Sequence, residues 1–321
     1  MTLGNQFRAG YVALVGEANA GKSTLLNQLV GQKLAAVSPR AHTTRVKVLG
    51  VKTTNEAQLV YVDTPGFVIK PRQDALKRLL ESETTSAPEG CDLVVLVLDS
   101  TTVTADLGSI QRTLKLLQDK GLPRPKIVAL NKVDIVAKEG LLPVIAELSK
   151  CFLASADDDS QRRGSSGPMV EFVPVSAKSG DGVPELEKVI QQFLPEQAAI
   201  FPVDTLTTTS ARQLAAECIR EKLFLQLRDE LPYSAAVQVE TFEEDGDILR
   251  LSAVIMVERD SQKGIVIGER GSMLKKIGTA ARQELEKFHD CKVFLELLVK
   301  VEPNWSASEA GIRKVGINDE L

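Results

Sequence analysis

Eight residues, Gly16-Glu17-Ala18-Asn19-Ala20-Gly21-Lys22-Ser23, restrict what this chain can fold into more than any other stretch. The apolar run Tyr11-Val12-Ala13-Leu14-Val15 precedes them and reads as a buried strand; Thr24 to Val30 comes next with helical spacing. A strand, a glycine-bounded loop and a helix are the setting that the pattern G-x-x-x-x-G-K-[ST] needs. Such a loop can wrap a triphosphate with its backbone N–H groups aimed at oxygen, and the helix N-terminus adds a favourable dipole. Lys22 would reach the β- and γ-phosphates and Ser23 would place its hydroxyl on Mg²⁺. Gly16, Asn19, Ala20, Gly21 and Thr24 complete this candidate nucleotide contact. The alternative is a chance glycine-rich turn. The flanking strand and helix weigh against it, and so do the motifs further along the chain.

The 321 residues suffice for one or two domains, each with its own core. A net charge of −4 means that any nucleic-acid binding must come from a local basic face. No apolar run approaches a membrane span. Met1 to Arg8 lacks an apolar core and is too short for a transit peptide, so the chain is expected to be cytoplasmic, or in an organelle stroma or matrix if a transit peptide was removed. Cys91, Cys151, Cys218 and Cys291 have no metal-ligand spacing and read as reduced thiols.

After the first helix, Ser38 to Arg45 is polar, contains Pro39, and suits a mobile loop. Thr43 or Thr44, with Thr44 favoured, would bring oxygen to Mg²⁺ when a γ-phosphate is present, the order–disorder switch of a GTPase. Strands are expected over Val46 to Thr53 and Ala57 to Val62, the second ending in Asp63-Thr64-Pro65-Gly66. Asp63 would hold Mg²⁺ through water, and Gly66, lacking a Cβ, would offer its N–H to the γ-phosphate. Phe67 stands where Ras-like proteins carry a water-orienting Gln, so intrinsic hydrolysis should be slow or helped by another group. Cys91 to Asp99 and Lys126 to Leu130 read as further buried strands, with a helix from about Leu107 to Asp119 between them.

The second of these strands leads into Asn131-Lys132-Val133-Asp134. The Asp134 carboxylate can accept from guanine N1–H and the N2 amino group; adenine offers no such pair, and a mismatch of this kind gives discrimination of roughly 10⁴-fold. Asn131 would tie this loop to the phosphate loop, and the Lys132 stem would cover the base. Ser155 to Gly167 reads as an exposed loop. A strand over Val170 to Val175 then leads to Ser176-Ala177-Lys178, whose N–H groups could meet guanine O6, and a helix spans Gly182 to Phe193. Alternating strands and helices with ligands at strand C-termini make a doubly wound α/β sheet.

With the whole motif set, residues 1–195 resemble the translation-factor-related GTPases, and Thr43-Thr44-Arg45 resembles the switch of their Era/TrmE group. In that group an Asn at the position of Asn19 ligates a monovalent cation, and a hydrophobic residue occupies the position of Phe67. The resemblance implies that K⁺ stimulates hydrolysis more than Na⁺. Catalysis then falls to Lys22, Thr44, Gly66 and Asn19 through positioning and charge neutralisation, with no side chain as general base.

Residues 196–209 contain Pro202 and a run of threonines and read as a linker. Beyond it come, in order, helix Ala211 to about Asp229, strands Ala235 to Phe242 and Ile248 to Glu258 around the acidic turn Glu243 to Asp247, a short segment Gln262 to Ile267, helix Ser272 to Phe288 and strand Lys292 to Val301. This α-β-β-α-α-β order, with Gly268-Glu269-Arg270-Gly271 between the last two helices, resembles a smaller α+β type II KH domain over 210–321. Such a loop lets an RNA backbone approach closely and clamps about four nucleotides. Lys263, Lys275 and Lys276 would supply charge, with Arg282 nearby. The alternative is a small α/β domain with a solvated basic face.

A GTPase joined to a type II KH domain is identified as a member of the Era family, on further matches in Ala215 to Lys222, Glu230 to Ser234 and Leu295 to Val301. The resemblance implies a GTP/GDP switch using Mg²⁺ that binds the 3′ end of small-subunit rRNA and acts on the small ribosomal subunit or its precursor. It implies a monomer, and the family's loose membrane association, which no amphipathic stretch of this chain demands. Ala18 and Ala41-His42 depart from the family's Pro and Pro-Gln, and Glu269 puts an acid inside the RNA clamp. Two rival functions are an RNA-binding scaffold with a vestigial GTPase and a tRNA-modification GTPase.

Overall fold

Short apolar runs, each closed by a polar residue at its C-terminal end, decide the first half of the molecule. The computed structural model describes residues 7–38, 48–66, 87–123, 125–154, 170–227 and 231–317. By packing they fall into two units: residues 7–34, 48–66 and 87–208, and residues 35–38 with 209–317.

In the first unit, strands β1 (Arg8–Val15), β2 (Val48–Thr53), β3 (Ala57–Asp63), β4 (Leu93–Asp99), β5 (Ile127–Asn131) and β6 (Glu171–Pro174) form one sheet in the order β2-β3-β1-β4-β5-β6. Only β2 runs antiparallel to its neighbour. Leu93 to Leu98 are buried without interruption, which is why this strand is a continuous apolar run rather than an alternating one. Helices α1 (Lys22–Val30), α2 (Ser100–Ala105), α3 (Gly108–Asp119), α4 (Leu141–Ala154) and α5 (Val183–Phe193) cover the sheet. Ile110, Leu117, Val144 and Leu148 pack on Leu96, Val128 and Leu130. Strand order reverses at β1, so the loops after β1 and β3 open on the crevice where doubly wound folds bind ligands. The doubly wound α/β expectation holds.

The sequence reading passed over α4 and α2. In α4 the buried Leu141, Val144, Leu148 and Phe152 do recur on one face, with Pro143 in the first turn. Helix α2 is only six residues long, too short for a period, and starts because the Asp99 carboxylate accepts the Thr101 N–H at 2.9 Å.

The stretch read as a linker is docked on the first unit. Ala9 N–H donates to Pro195 O and Val51 N–H to Leu206 O. Gln58, wholly buried, uses its amide fully: Nε2 donates to Thr53 Oγ1 and Phe201 O, and Oε1 accepts from Ile200 and Phe201 N–H. A buried amide left unpaired would cost about 1–3 kcal/mol, so this complete set holds the segment in one register.

The second unit begins its main body with α6 (Ala211–Gln226), whose Ser210 and Gln213 form a capping box. Strands β7 (Ala235–Asp245) and β8 (Ile248–Val257), helices α7 (Asp260–Ile267) and α8 (Ser272–His289), strand β9 (Lys292–Val301) and a short α9 (Glu309–Lys314) complete it. The sheet order is β7-β8-β9, antiparallel then parallel, and the expected α-β-β-α-α-β order is the observed one. Ile219, Leu223, Ile277 and Ala281 pack on Val237, Ala253, Ile255 and Val299 across one face. The other face is capped at one end by Trp305, Ile312, Val315 and Ile317 over Ala236, Val254 and Met256. The acidic turn is tighter than expected: Glu243 to Asp245 stay in β7, Gly246 and Asp247 make the turn, and Asp245 pairs with Arg250 at 2.8 Å.

Helix α6 also buries four charged side chains, Glu217, Arg220, Glu221 and Lys222. Each has an opposite partner, Arg220 with Glu217 and Lys222 with Glu221 and Glu284, which offsets the cost of taking such groups out of water. Within the same unit Glu221 also accepts from the Val37 N–H at 2.9 Å.

Candidate nucleotide site and RNA-binding loop

The residues of the phosphate-loop motif are brought to one place by β1 and α1. Gly16 sits at the end of β1, and Gly21, with φ 93°, precedes the first residue of α1, Lys22. Asn19 adopts the left-handed conformation at φ 65°, Ala20 is buried, and Thr24 lies in the first turn of α1. Lys22 is itself buried and folds its ammonium back on the loop, donating to Gly16 O at 3.1 Å and Glu17 O at 2.9 Å. It therefore lies along the loop's inner rim. Burial pulls its pKa from 10.5 to about 8, opposed by the charges of Asp63 and Glu17.

Ser23 Oγ donates to Asp63 Oδ2 at 2.6 Å, so the two candidate Mg²⁺ ligands meet at one point. Asp63 is fully buried at the end of β3. Two hard oxygens beside a phosphate-binding loop fit Mg²⁺, which takes one or two protein ligands and leaves the rest to phosphate and water. Among the described residues no group of three His, Cys, Asp or Glu side chains offers a rival metal site. Thr64 Oγ1 donates to Leu14 O at 3.0 Å, and the chain then passes so near the phosphate loop that a Cβ on Gly66 would lie 2.6 Å from Ala18 Cα and 2.7 Å from Ala18 N. Only glycine fits there. Thr43, Thr44 and Phe67 lie outside the described residues.

The base end is organised by Asn131, 2% exposed at the end of β5. Its Nδ2 donates to Ala20 O at 2.8 Å and its Oδ1 accepts from the Ala177 N–H at 2.9 Å, joining the phosphate loop to the loop after β6. A Cβ on Gly21 would fall 2.2 Å from that Nδ2, so the strut needs glycine there too. Asp134 Oδ1 accepts from Ser176 Oγ at 2.8 Å, which tethers one oxygen of its carboxylate to the loop after β6. The Ser176 N–H donates to Asp181 O at 2.8 Å, so two of the three N–H groups expected near guanine O6 already have acceptors within the protein. Lys178 is the exposed third residue of this loop. Lys132, left-handed at φ 68°, reaches Asp99 Oδ2 at 2.6 Å.

In the second unit, α7 ends at Ile267 with Gly268 as its cap, and Glu269 to Gly271 form a single turn before α8. Arg270 is left-handed at φ 49°, which turns Glu269 and Arg270 outward, both exposed. Lys275 and Lys276 are exposed in the first turns of α8 and Lys263 is half-buried on α7. No ion pair engages these three lysines among the described residues, whereas Arg282 is paired with Glu286 at 2.7 Å.

The profile of a family described as "50S ribosome-binding GTPase" matches residues 11–132, and that of a "KH domain" matches residues 230–306. The GTPase Era of Pseudomonas fluorescens is 42% identical over 320 residues, covering 99% of this chain and 100% of the relative. The chain belongs to the Era GTPase family. The GTPase Era of Geobacter sp. is 40% identical, over 97% of this chain and 98% of its own. Among solved structures, a variant of Aquifex aeolicus Era bound to GDP·AlF4− superimposes with TM-score 0.84 at 37% identity, covering 97% of this chain and 99% of that one. Era in complex with MgGDPNP and nucleotides 1506–1542 of 16S ribosomal RNA matches with the same score, identity and coverage.

Besides the bonds from Asn131 to Ala177 and from Ser176 to Asp134, two more polar contacts of this Era-family site have no counterpart in the motifs. Glu17 Oε1 accepts from the buried Thr113 Oγ1 at 2.7 Å, bracing the phosphate loop against α3. Asp99 meets Lys132. Glu17 occupies a position where the motif allows any residue, and Asp99 is simply the end of a strand, so neither carried a signal in sequence.

The depressed Lys22 pKa gives a pH prediction for Era-family nucleotide binding. With a pKa of about 8, the Lys22 ammonium loses its proton in the weakly alkaline range. Phosphates placed beside Lys22 would favour the ammonium, so binding there would take up a proton. GDP affinity should be flat below pH 7 and fall by about tenfold per pH unit above 8, with about half a proton taken up at pH 8 in calorimetry across buffers. The unliganded fold has the opposite trend: the unfolded chain binds the extra proton between pH 8 and 10.5, so Lys22's own contribution to stability rises over that window.

Proposed function

We propose that this chain is a Mg²⁺-dependent GTP-hydrolysing switch that grips the 3′ region of small-subunit rRNA and acts in maturation of the small ribosomal subunit. The observation that carries this reading is the Asn131 strut, which unites a phosphate loop and a guanine loop in a chain that also presents the Gly268–Gly271 turn. The solved relative that holds both MgGDPNP and 16S rRNA nucleotides supports it over 97% of the chain.

In this reading residues 1–195 are the GTPase domain, 196–209 connect it, and 210–321 are the KH domain. Lys22 exchanges the Gly16 and Glu17 carbonyls for the β- and γ-phosphates. Gly66 donates its N–H to the γ-phosphate, and Thr44 closes the switch over it. Asp134, held by Ser176, reads the guanine edge, and Lys132 covers the base. Ser23, Asp63 and Thr44 would hold Mg²⁺ and Asn19 would hold K⁺, which together supply positive charge where the β–γ bridge gains negative charge. Gly268 and Gly271 admit the RNA backbone, with Lys263, Lys275, Lys276 and Arg270 facing phosphates and Glu269 turned to solvent.

No helix among the described residues is long and apolar enough to cross a membrane. The reading takes the protein as a monomer that works where ribosomes are assembled, in the cytoplasm or an organelle matrix, and any membrane association as peripheral.

The test is binding to a short single-stranded RNA matching the small-subunit rRNA 3′ end, with a non-hydrolysable GTP analogue or GDP and a scrambled RNA as control. The expected result is sequence-dependent binding favoured by the analogue, with hydrolysis faster in K⁺ than in Na⁺. Binding indifferent to nucleotide and sequence would assign the KH domain another partner, and equal rates in the two salts would remove the cation role of Asn19.

A further inference from the structure

Asp99 and Asn131 are register partners at the C-terminal ends of β4 and β5, so the parallel pairing of these strands sets Asp99 beside the residue after Asn131, Lys132. The two oxygens of Asp99 have separate tasks. Oδ1 accepts from the Thr101 N–H at 2.9 Å and Thr101 Oγ1 at 2.7 Å, which caps α2 and stops the carboxylate from turning. Oδ2 then faces Lys132 Nζ at 2.6 Å. The Lys132 backbone adds a second restraint, since its left-handed conformation, at φ 68° and ψ 34°, is costly for any residue with a Cβ and fixes the direction of the side chain. At its other end the stem is anchored through Asn131, which is bonded to both nucleotide loops.

The side chains of Lys132 and Asp99 are 32% and 18% exposed, so the pair stands at the rim of the guanine end rather than in the core. A rim ion pair contributes little to folding. It can still matter for binding, because a free lysine carries large rotamer entropy that must be lost when its stem lies along a ligand.

We propose that Asp99 is a positioning residue for the guanine nucleotide: acting through Lys132, it holds the lysine stem extended at the base before the base arrives. This rests on the GTP reading of the site. Asp99 touches neither base nor phosphate. It also draws the lysine charge away from the phosphates, so Lys132 serves as an apolar cover with its ammonium spent on the rim.

The experiment measures equilibrium affinity and release rate of a fluorescent GDP on the full chain, for the wild type, Asp99→Asn, Lys132→Gln and the double variant. Asn keeps the helix cap and removes only the ionic partner; Asp99→Ser, another capping residue, is the second variant should Asp99→Asn fold poorly. Asp99→Asn is expected to weaken GDP by about fivefold to twentyfold through faster release, in line with loss of a pre-formed stem. In the Lys132→Gln background the same change should do nothing further. The ratio of GDP to IDP affinity should stay constant, because the N2 amino group is read by Asp134. An undiminished effect in the Lys132→Gln background, a changed GDP to IDP ratio, or no effect in the wild-type background would each overturn the proposal. A wild type without guanine-nucleotide affinity would instead sink the GTP reading itself.

Discussion

The Asp134→Asn variant is expected to lose GDP affinity by about 10³-fold and to gain xanthosine diphosphate affinity in its place. Ser176 Oγ donates to one oxygen of Asp134 at 2.8 Å, so an Asn there would keep its oxygen toward Ser176 and turn its amide N–H₂ toward the base. Guanine would then meet a donor with its own N1–H and N2 amino donors, and each would be left unpaired in a partly dry site. Xanthine carries a carbonyl where guanine carries the amino group and can accept from the new amide. Competition of the two diphosphates against a fluorescent nucleotide reads both affinities. Retention of guanine preference in the variant would move base recognition away from this loop.

If the proposed Gly66 contact to the γ-phosphate holds, Gly66→Ala is expected to lower the hydrolysis rate by about 10²–10³-fold by displacing that donor. GDP affinity should change by less than about tenfold, since the interaction lost is one made mainly with the γ-phosphate. The added methyl would lie within 2.7 Å of two backbone atoms of Ala18, and backbone has no side chain that can swing away. The Asp-x-x-Gly loop must therefore retreat. Single-turnover hydrolysis beside GDP titration separates the two effects. An unaltered rate would mean that Gly66 makes no catalytic contact.

How much of the molecule was legible in sequence depended on how local each determinant is. The phosphate loop, Asp63 and the Asn131 to Asp134 motif stand at strand ends, and buried parallel strands are readable as continuous apolar runs. The tie from Asn131 to the phosphate loop was legible because the motif fixes the Asn, whereas its second bond, to the Ala177 N–H, was not, because nothing in the motif points to a residue 46 positions on. The docking of residues 195–208 was not, because it depends on Gln58, one polar residue in a wholly buried strand whose partners lie more than 140 residues away. Helix α2 hid for a different reason: its existence depends on a cap rather than on a period. The buried charges of α6 were likewise invisible, since Arg220 and Lys222 look like solvated residues until Glu217, Glu221 and Glu284 are placed around them.

Asn131 also joins two loops far apart in the chain. Ala20 lies 111 residues before it and Ala177 lies 46 residues after it, yet both spend a backbone group on the same carboxamide. Neither loop can open while that carboxamide stays in place without stranding a buried polar group. The two loops are therefore expected to open together, with amide protons on both sides of Asn131 exchanging with solvent as one cooperative unit. A ligand that held either loop closed would be expected to slow the opening of the other through this shared hinge pin, a change that hydrogen exchange on both loops would read.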